Sequence, residues 1–343
     1  MDGTLRAIAR RRALPPLHRD GPRMGETANI AKLAEKAFGQ IFKPFGWEQR
    51  GPTNSSWDCE TPSHKVGQHP SDAVFSYQDP YFARRILVNL DFKSYKRSTL
   101  EKLDLSVALR GLAMATECAN KSETFQERFG SDGDTETVGM LFVFNHDQEY
   151  NPRRFDQILA ASHDECDIGK KRRMFIAGPG VISYLATVAN DIELATARMA
   201  RHERSFFFPN LIGRPANAFG AATIESLMGP WVIVKFAGAK GDKPETHHNV
   251  YYRGKGASPQ EFEYLLDYLF RFQVVDDYSR VHFRLVEPAT DAAPNLEAAK
   301  RVYLGRFHGL REFKERLERI DYESVSRVVQ TFSDLEAGME QRI

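Results

Sequence analysis

From residue 27 to residue 43, Ile30, Leu33, Ala34, Ala37, Phe38 and Ile41 recur three and four places apart. That period lays apolar side chains along one face of a helix, and Pro44 and Gly46 end it. Residues 47–70 are rich in Gly, Pro, Ser, Thr and His and predict a short strand followed by a long loop. Two strand-like runs come next, 73–77 and 85–92, separated by the turn chemistry of Asp79-Pro80. Helical spacing returns over 99–119 through Leu103, Val107, Leu109, Leu112 and Ala113. SDGDTE (131–136) reads as a loop, and VGMLFVFNH (138–146) as a buried strand.

Beyond residue 150 the pattern predicts a helix at 152–162, a strand at 174–178 (MFIAG) and a helix from Val181 to about Arg201. SFFFPNLIG (205–213), GPWVIVKF (229–236) and HHNVYYRG (247–254) read as strands. Ser258-Pro259-Gln260-Glu261 is a capping box with proline at the first helical position. VHFRLV (281–286) alternates like a half-buried strand, and helices at 295–307 and 309–320 lead to a helical C-terminus. No internal repeat shows in the sequence. The expectation is an α/β chain in three parts: an arm over 1–24, a core over 25–150, and a further α/β region over 151–343.

Composition narrows the class. No apolar run approaches the ~20 residues that cross a bilayer, so no membrane partner is expected. Cys59, Cys118 and Cys166 are odd in number and form no CxxC pair, which argues against a disulfide framework or a thiolate zinc site and for a reducing cytoplasm. The net charge is +1, but residues 1–24 hold six arginines against Asp2 and Asp20, a local +4. That arm is expected to be disordered and able to meet phosphates, unless Met24 is the true start.

The candidate chemistry lies at the end of the run Ile86-Leu87-Val88-Asn89-Leu90, where Asp91-Phe92-Lys93 follows. A chain this rich in acids and lysines forms such triplets by chance, and Glu312-Phe313-Lys314 is another. The second sits in a helical charge pattern; the first ends an apolar strand. Side chains alternate along a strand, so Asp91 and Lys93 share a face and Phe92 takes the other. If the strands at 73–77 and 85–92 form an antiparallel hairpin, Asp72 falls beside Asp91. Two carboxylates side by side are stable when a cation lies between them. Oxygen ligands suit Mg²⁺ or Mn²⁺, with the Phe92 backbone carbonyl as a further donor. A divalent ion beside a lysine is equipment for phosphodiester hydrolysis.

Pro70-Ser71-Asp72, eighteen residues, then Asp91-Phe92-Lys93 resembles the signature of the restriction-endonuclease-like, PD-(D/E)xK nuclease superfamily, with Ser71 inserted after the proline. The element order over 27–146 is similar to that superfamily's αβββαβ core with a mixed central sheet. The resemblance implies a metal-dependent nuclease, acting on DNA before RNA, with Asp72 and Asp91 as ligands and Lys93 as the catalytic lysine. It implies for Glu35, on the first helix, a contact to the metal. Family habit also suggests bacterial antiviral defence or repair, and a protein partner or homo-oligomer. The alternative is a catalytically silent scaffold of the same fold that binds nucleic acid or a partner subunit.

Lys96 and Arg97, and the run Lys170, Lys171, Arg172 and Arg173, are candidates for gripping a phosphate backbone. His163-Asp164-Glu165-Cys166 and His247-His248 lack metal-ligand spacing. Gly178-Pro179-Gly180 offers a strand-to-helix turn at which amides could hold a phosphate, the basis of a rival nucleotide-binding reading.

Overall fold

The computed structural model describes residue 32 and residues 34–328, except 131–132, 166–172, 212–219 and 241. The N-terminal arm, Cys166, Lys170, Lys171 and Arg172 lie outside the described residues.

Among the described residues, the first half holds the strands β1 (Glu48–Arg50), β2 (Ser55–Asp58), β3 (Gln68–Ser71), β4 (Ala73–Gln78), β5 (Arg85–Tyr95), β6 (Thr135–Asn145) and β7 (Met174–Ala177). Five of them form one sheet in the order β1-β4-β5-β6-β7, and β2 and β3 pair separately as a hairpin. β4 is antiparallel to β1 and β5, while β6 is parallel to β5 and β7. The sheet is therefore mixed, as the αβββαβ expectation requires. Its central strand is covered on both faces, which is why β5 reads as a continuous apolar run. Ile86, Val88, Leu90 and Phe92 pack with Phe42, Phe75 and the Pro179–Arg198 helix. Leu87 faces the other layer, among Ala115, Ala119, Phe125 and Phe129 of the Ser106–Ala119 and Glu123–Phe129 helices.

The second half holds β8 (Glu203–Phe206), β9 (Trp231–Lys240), β10 (Lys243–Tyr252), β11 (Ser279–Val286) and β12 (Ile320–Val325), in the order β12-β11-β10-β9-β8. Its pairings run antiparallel, antiparallel, parallel, parallel from β8 onward. That succession is the one from β1 to β7. The Pro179–Arg198 helix precedes β8, the Pro259–Arg271 helix joins β10 to β11, and two helices join β11 to β12. The architecture thus repeats although the sequence shows no repeat, because pairing order and layer positions recur while the residues differ.

The halves share the Pro179–Arg198 helix. Asp191 on it is buried and accepts two hydrogen bonds from the Arg284 guanidinium on β11 (2.6 and 2.8 Å) and one from the Tyr251 hydroxyl on β10 (2.8 Å).

Several expectations are corrected. The first sheet runs on to Ala177, past the expected boundary at 150. Residues 47–70 are not one strand and a loop but β1 plus the β2–β3 hairpin. The helix expected from 99 begins at Ser106, whose amide is held by the Asp104 carboxylate (2.8 Å), after a single turn at Arg97–Leu100. The strand at 205–213 is shorter, Glu203–Phe206. The Arg311–Leu317 helix stops short of residue 320, and the final described element is β12, an edge strand beside β11 with Ile320 and Val325 buried; the expected helical C-terminus lies beyond residue 328, outside the described residues. At the capping box Ser258 makes no side-chain cap; the Glu261 carboxylate instead accepts from the Gly256 and Ala257 amides (both 3.0 Å).

Candidate active site

The β4–β5 register brings Ala73 opposite Leu90, so the preceding Asp72 lies at the end of the pair where Asp91 follows Leu90. The approach of Asp72 is set by polar contacts one step back along the same face. Ser71, the last residue of β3, is buried and donates its hydroxyl to the Asn89 side-chain oxygen (2.5 Å). Asn89 is wholly buried. Asp72 then donates its amide to the Leu90 carbonyl (3.2 Å) and takes the Phe92 amide on its carboxylate (2.6 Å). Neither Ser71 nor Asn89 stood out in the sequence, because their bond depends on a strand register that no local pattern prints.

Asp91 and Lys93 do share a face, and the Lys93 ammonium forms an ion pair with the Asp91 carboxylate. Phe92 points the other way, edge-on to Phe142. Burial drives the Asp72 carboxyl from its ordinary 3.8 to about 7; the Asp91 charge beside it adds to the rise, against the opposing Phe92 amide and Lys93. Burial works against the Lys93 ammonium, but the Asp91 carboxylate outweighs it and holds the lysine above its ordinary value. The register sets Asp72 beside Asp91, and the Asp91 charge is felt at the Asp72 carboxyl. A pair of carboxylates this close shares a proton or holds a cation. Two carboxylate donors with a backbone carbonyl within a half-buried end of a sheet fit a hard divalent ion; thiolate and imidazole are absent from this donor set.

Glu35 lies on the helix ahead of Phe38. It is exposed between the buried Ala34 and Ala37, on a turn that packs against the Phe92 layer. Lys96 and Arg97 are exposed just beyond the site at the end of β5. Arg97 pairs with Glu101 (2.8 Å) and its amide with the Asp147 carboxylate (2.8 Å). Arg173 is committed elsewhere: it and Arg84 hold Glu136, which pairs with Ile86 near the start of β5, and Arg173 also pairs with Glu225. That is the end of the strand away from Asp91.

The corresponding end of the second sheet differs in chemistry. There Trp231 pairs with Tyr252. Tyr252 donates to Glu261 on the following helix (3.3 Å), and Trp231 packs against Tyr264 and Tyr268 of that helix. Aromatic rings stand where the first sheet places two carboxylates. The Gly178–Gly180 turn is tightly packed: a Cβ at Gly178 would lie 2.2 Å from the Phe155 ring, and one at Gly180 2.6 Å from the Tyr150 hydroxyl. Its glycines serve close packing against these two rings.

Residues 24–180 match the family model described as the GAPS4 protein PD-(D/E)XK nuclease domain. No curated protein matches the chain. Among solved structures, the central domain of yeast acetyl-CoA carboxylase aligns at 14% identity and a TM-score of 0.26, over 92% of this chain and 48% of that one. The chain spans about half of that structure's length, and so slight a likeness carries no argument.

Proposed function

We propose that the chain hydrolyses phosphodiester bonds in nucleic acid, DNA before RNA, at the Asp72–Asp91–Lys93 centre, a reading supported by the match of residues 24–180 to a PD-(D/E)XK nuclease family model. The observation that supports this reading is the meeting of Asp72 and Asp91 at one end of the mixed sheet with Lys93 on the same face. Asp72, Asp91 and the Phe92 carbonyl would hold Mg²⁺ or Mn²⁺. Such an ion, when bound, acidifies water and draws charge from a phosphoryl oxygen. Lys93, paired with Asp91 on the same face, would orient the attacking water or neutralise the charge gathering on phosphorus. Ser71 and Asn89 hold the Asp72 end of the constellation in register.

Lys96 is the nearest candidate for a phosphate-backbone contact. Arg97 is partly spent on Glu101, and Arg173 fully on acids at the other end of the sheet. The second half, with the same pairing order and aromatic residues in place of carboxylates, supports substrate positioning or partner contact rather than a second cutting centre. The bacterial cytoplasm, in antiviral defence or repair, is the proposed setting.

The test is cleavage of plasmid DNA, linear DNA and RNA with Mg²⁺ or Mn²⁺, comparing wild type with Lys93→Ala. Metal-dependent cutting that falls at least a hundredfold in the variant while binding persists would support the proposal. Equal residual cutting in both proteins would favour the silent scaffold.

A further inference from the structure

We infer that Cys59, His64, His69 and Cys118 form a structural zinc site, separate from the nuclease centre, that fastens the segment delivering Asp72. The four residues come from four places. Cys59 follows β2, His64 closes the single 3-10 turn Pro62–His64, His69 lies in β3, and Cys118 is in the last turn of the Ser106–Ala119 helix. Each offers one ligand atom, and the four atoms all lie within 4.8 Å of one another.

Three of the six ligand-to-ligand edges can be compared with a tetrahedron around one ion. The two Sγ atoms are 3.9 Å apart, Cys59 Sγ lies 3.6 Å from His64 Nδ1, and His64 Nδ1 lies 3.2 Å from His69 Nε2. With Zn–S near 2.3 Å and Zn–N near 2.05 Å, tetrahedral angles demand about 3.8, 3.6 and 3.3 Å for those three edges. Two thiolates and two imidazoles select zinc over the hard ions suited to the aspartate pair. Four protein ligands leave no open position, which is the structural kind of site.

The surroundings also fit. The other nitrogen of His64, Nε2, faces the Glu117 carboxylate at 3.5 Å, the arrangement that orients a zinc-bound imidazole and raises its basicity. The Glu60 amide donates to Cys118 Sγ (3.2 Å), a bond that favours thiolate. Cys118 and His69 are buried. A disulfide between the cysteines would need the sulfurs at about 2.05 Å and would leave the two facing imidazoles unexplained.

The placement gives the ion a task. His69 lies three residues before Asp72, and the intervening Ser71 is the residue bonded to Asn89. Zinc would thus tie β3 and the loop before it to the end of the helix beneath Leu87. Spacing rules missed this because the ligands lie five residues apart in the loop and the fourth comes from a distant helix.

The test is the metal content of the full-length chain purified under reducing conditions. About one zinc per chain is expected, retained in Asp91→Ala and lost in Cys118→Ser and His69→Ala. Co²⁺ reconstitution should give the intense visible bands of a tetrahedral ion and a thiolate charge-transfer band. Glu117→Gln should weaken zinc affinity about 10- to 100-fold. Should the ligand variants fail to fold, wild type alone decides: Cys59 and Cys118 should resist alkylation with zinc and react once a chelator removes it. A folded wild-type chain without zinc, equal alkylation with and without zinc, or an isolated Cys59–Cys118 disulfide would each overturn the inference. Because retention in Asp91→Ala is read as metal content, the result is independent of nuclease activity.

Discussion

Asp72 carries a stability consequence as well as a chemical one. Its carboxyl titrates at about 7 in the fold and near 3.8 when unfolded. A raised carboxyl stabilises fully below its unfolded value and ceases to do so as pH rises through the folded one. Between about pH 4 and pH 7 the metal-free chain therefore loses stability from this group, on the order of 4 kcal/mol. Asp72→Asn, which keeps an acceptor for the Phe92 amide, should melt higher than wild type at pH 8 in EDTA and about equally near pH 4. Added Mg²⁺ should narrow the gap at pH 8. A variant that melts lower than wild type at pH 8 would show that the buried charge is not strained. His248 works with the opposite sign. Burial lowers it from 6.5 to about 4, so its contribution is present above about 6.5 and is lost as pH falls towards 4.

Among the elements, the Pro179–Arg198 helix is the one on which both sheets depend, and its buried ion pair is the weak point. Asp191→Ala would leave the Arg284 guanidinium buried, with Glu323 on the sheet edge as its remaining acidic partner. Breaking one side of a buried pair costs about 3–5 kcal/mol, read as a lower denaturant midpoint, while an apolar replacement of both partners should recover much of it. What could be read from sequence at this scale followed local period. β5, β6 and the helix starting at Pro259 were legible because alternation, a continuous apolar run and proline at the first turn are written within a few residues. The β2–β3 hairpin, β12 and the Ser71–Asn89 bond were not, because each is decided by a partner far along the chain. Asp91 and Lys93 were legible because their spacing matches the strand's period of two. For Glu35 the helix pattern gives a polar face, and the residue is exposed, but a face alone does not tell what it meets.

Among the described residues, one strand-pairing order is used twice, with a carboxylate pair at the corresponding end of the first sheet only. The first sheet ends in Asp72 and Asp91, the second in Trp231 and Tyr252. The proposed reading places one centre in each chain, so Asp91→Ala should abolish all metal-dependent cutting, whereas Tyr252→Phe should leave the chemical step within about twofold, read as single-turnover rates at saturating substrate. Residual cutting in Asp91→Ala above one part in a hundred would point to a second centre. The most direct test of the aspartate pair itself is Mn²⁺ binding to the reduced full-length chain at pH 8, followed by electron paramagnetic resonance. One Mn²⁺ bound per chain, lost in Asp91→Asn and unchanged in Glu35→Gln, is the result expected. Mn²⁺ binding that survives Asp91→Asn undiminished would contradict the site at the heart of this account.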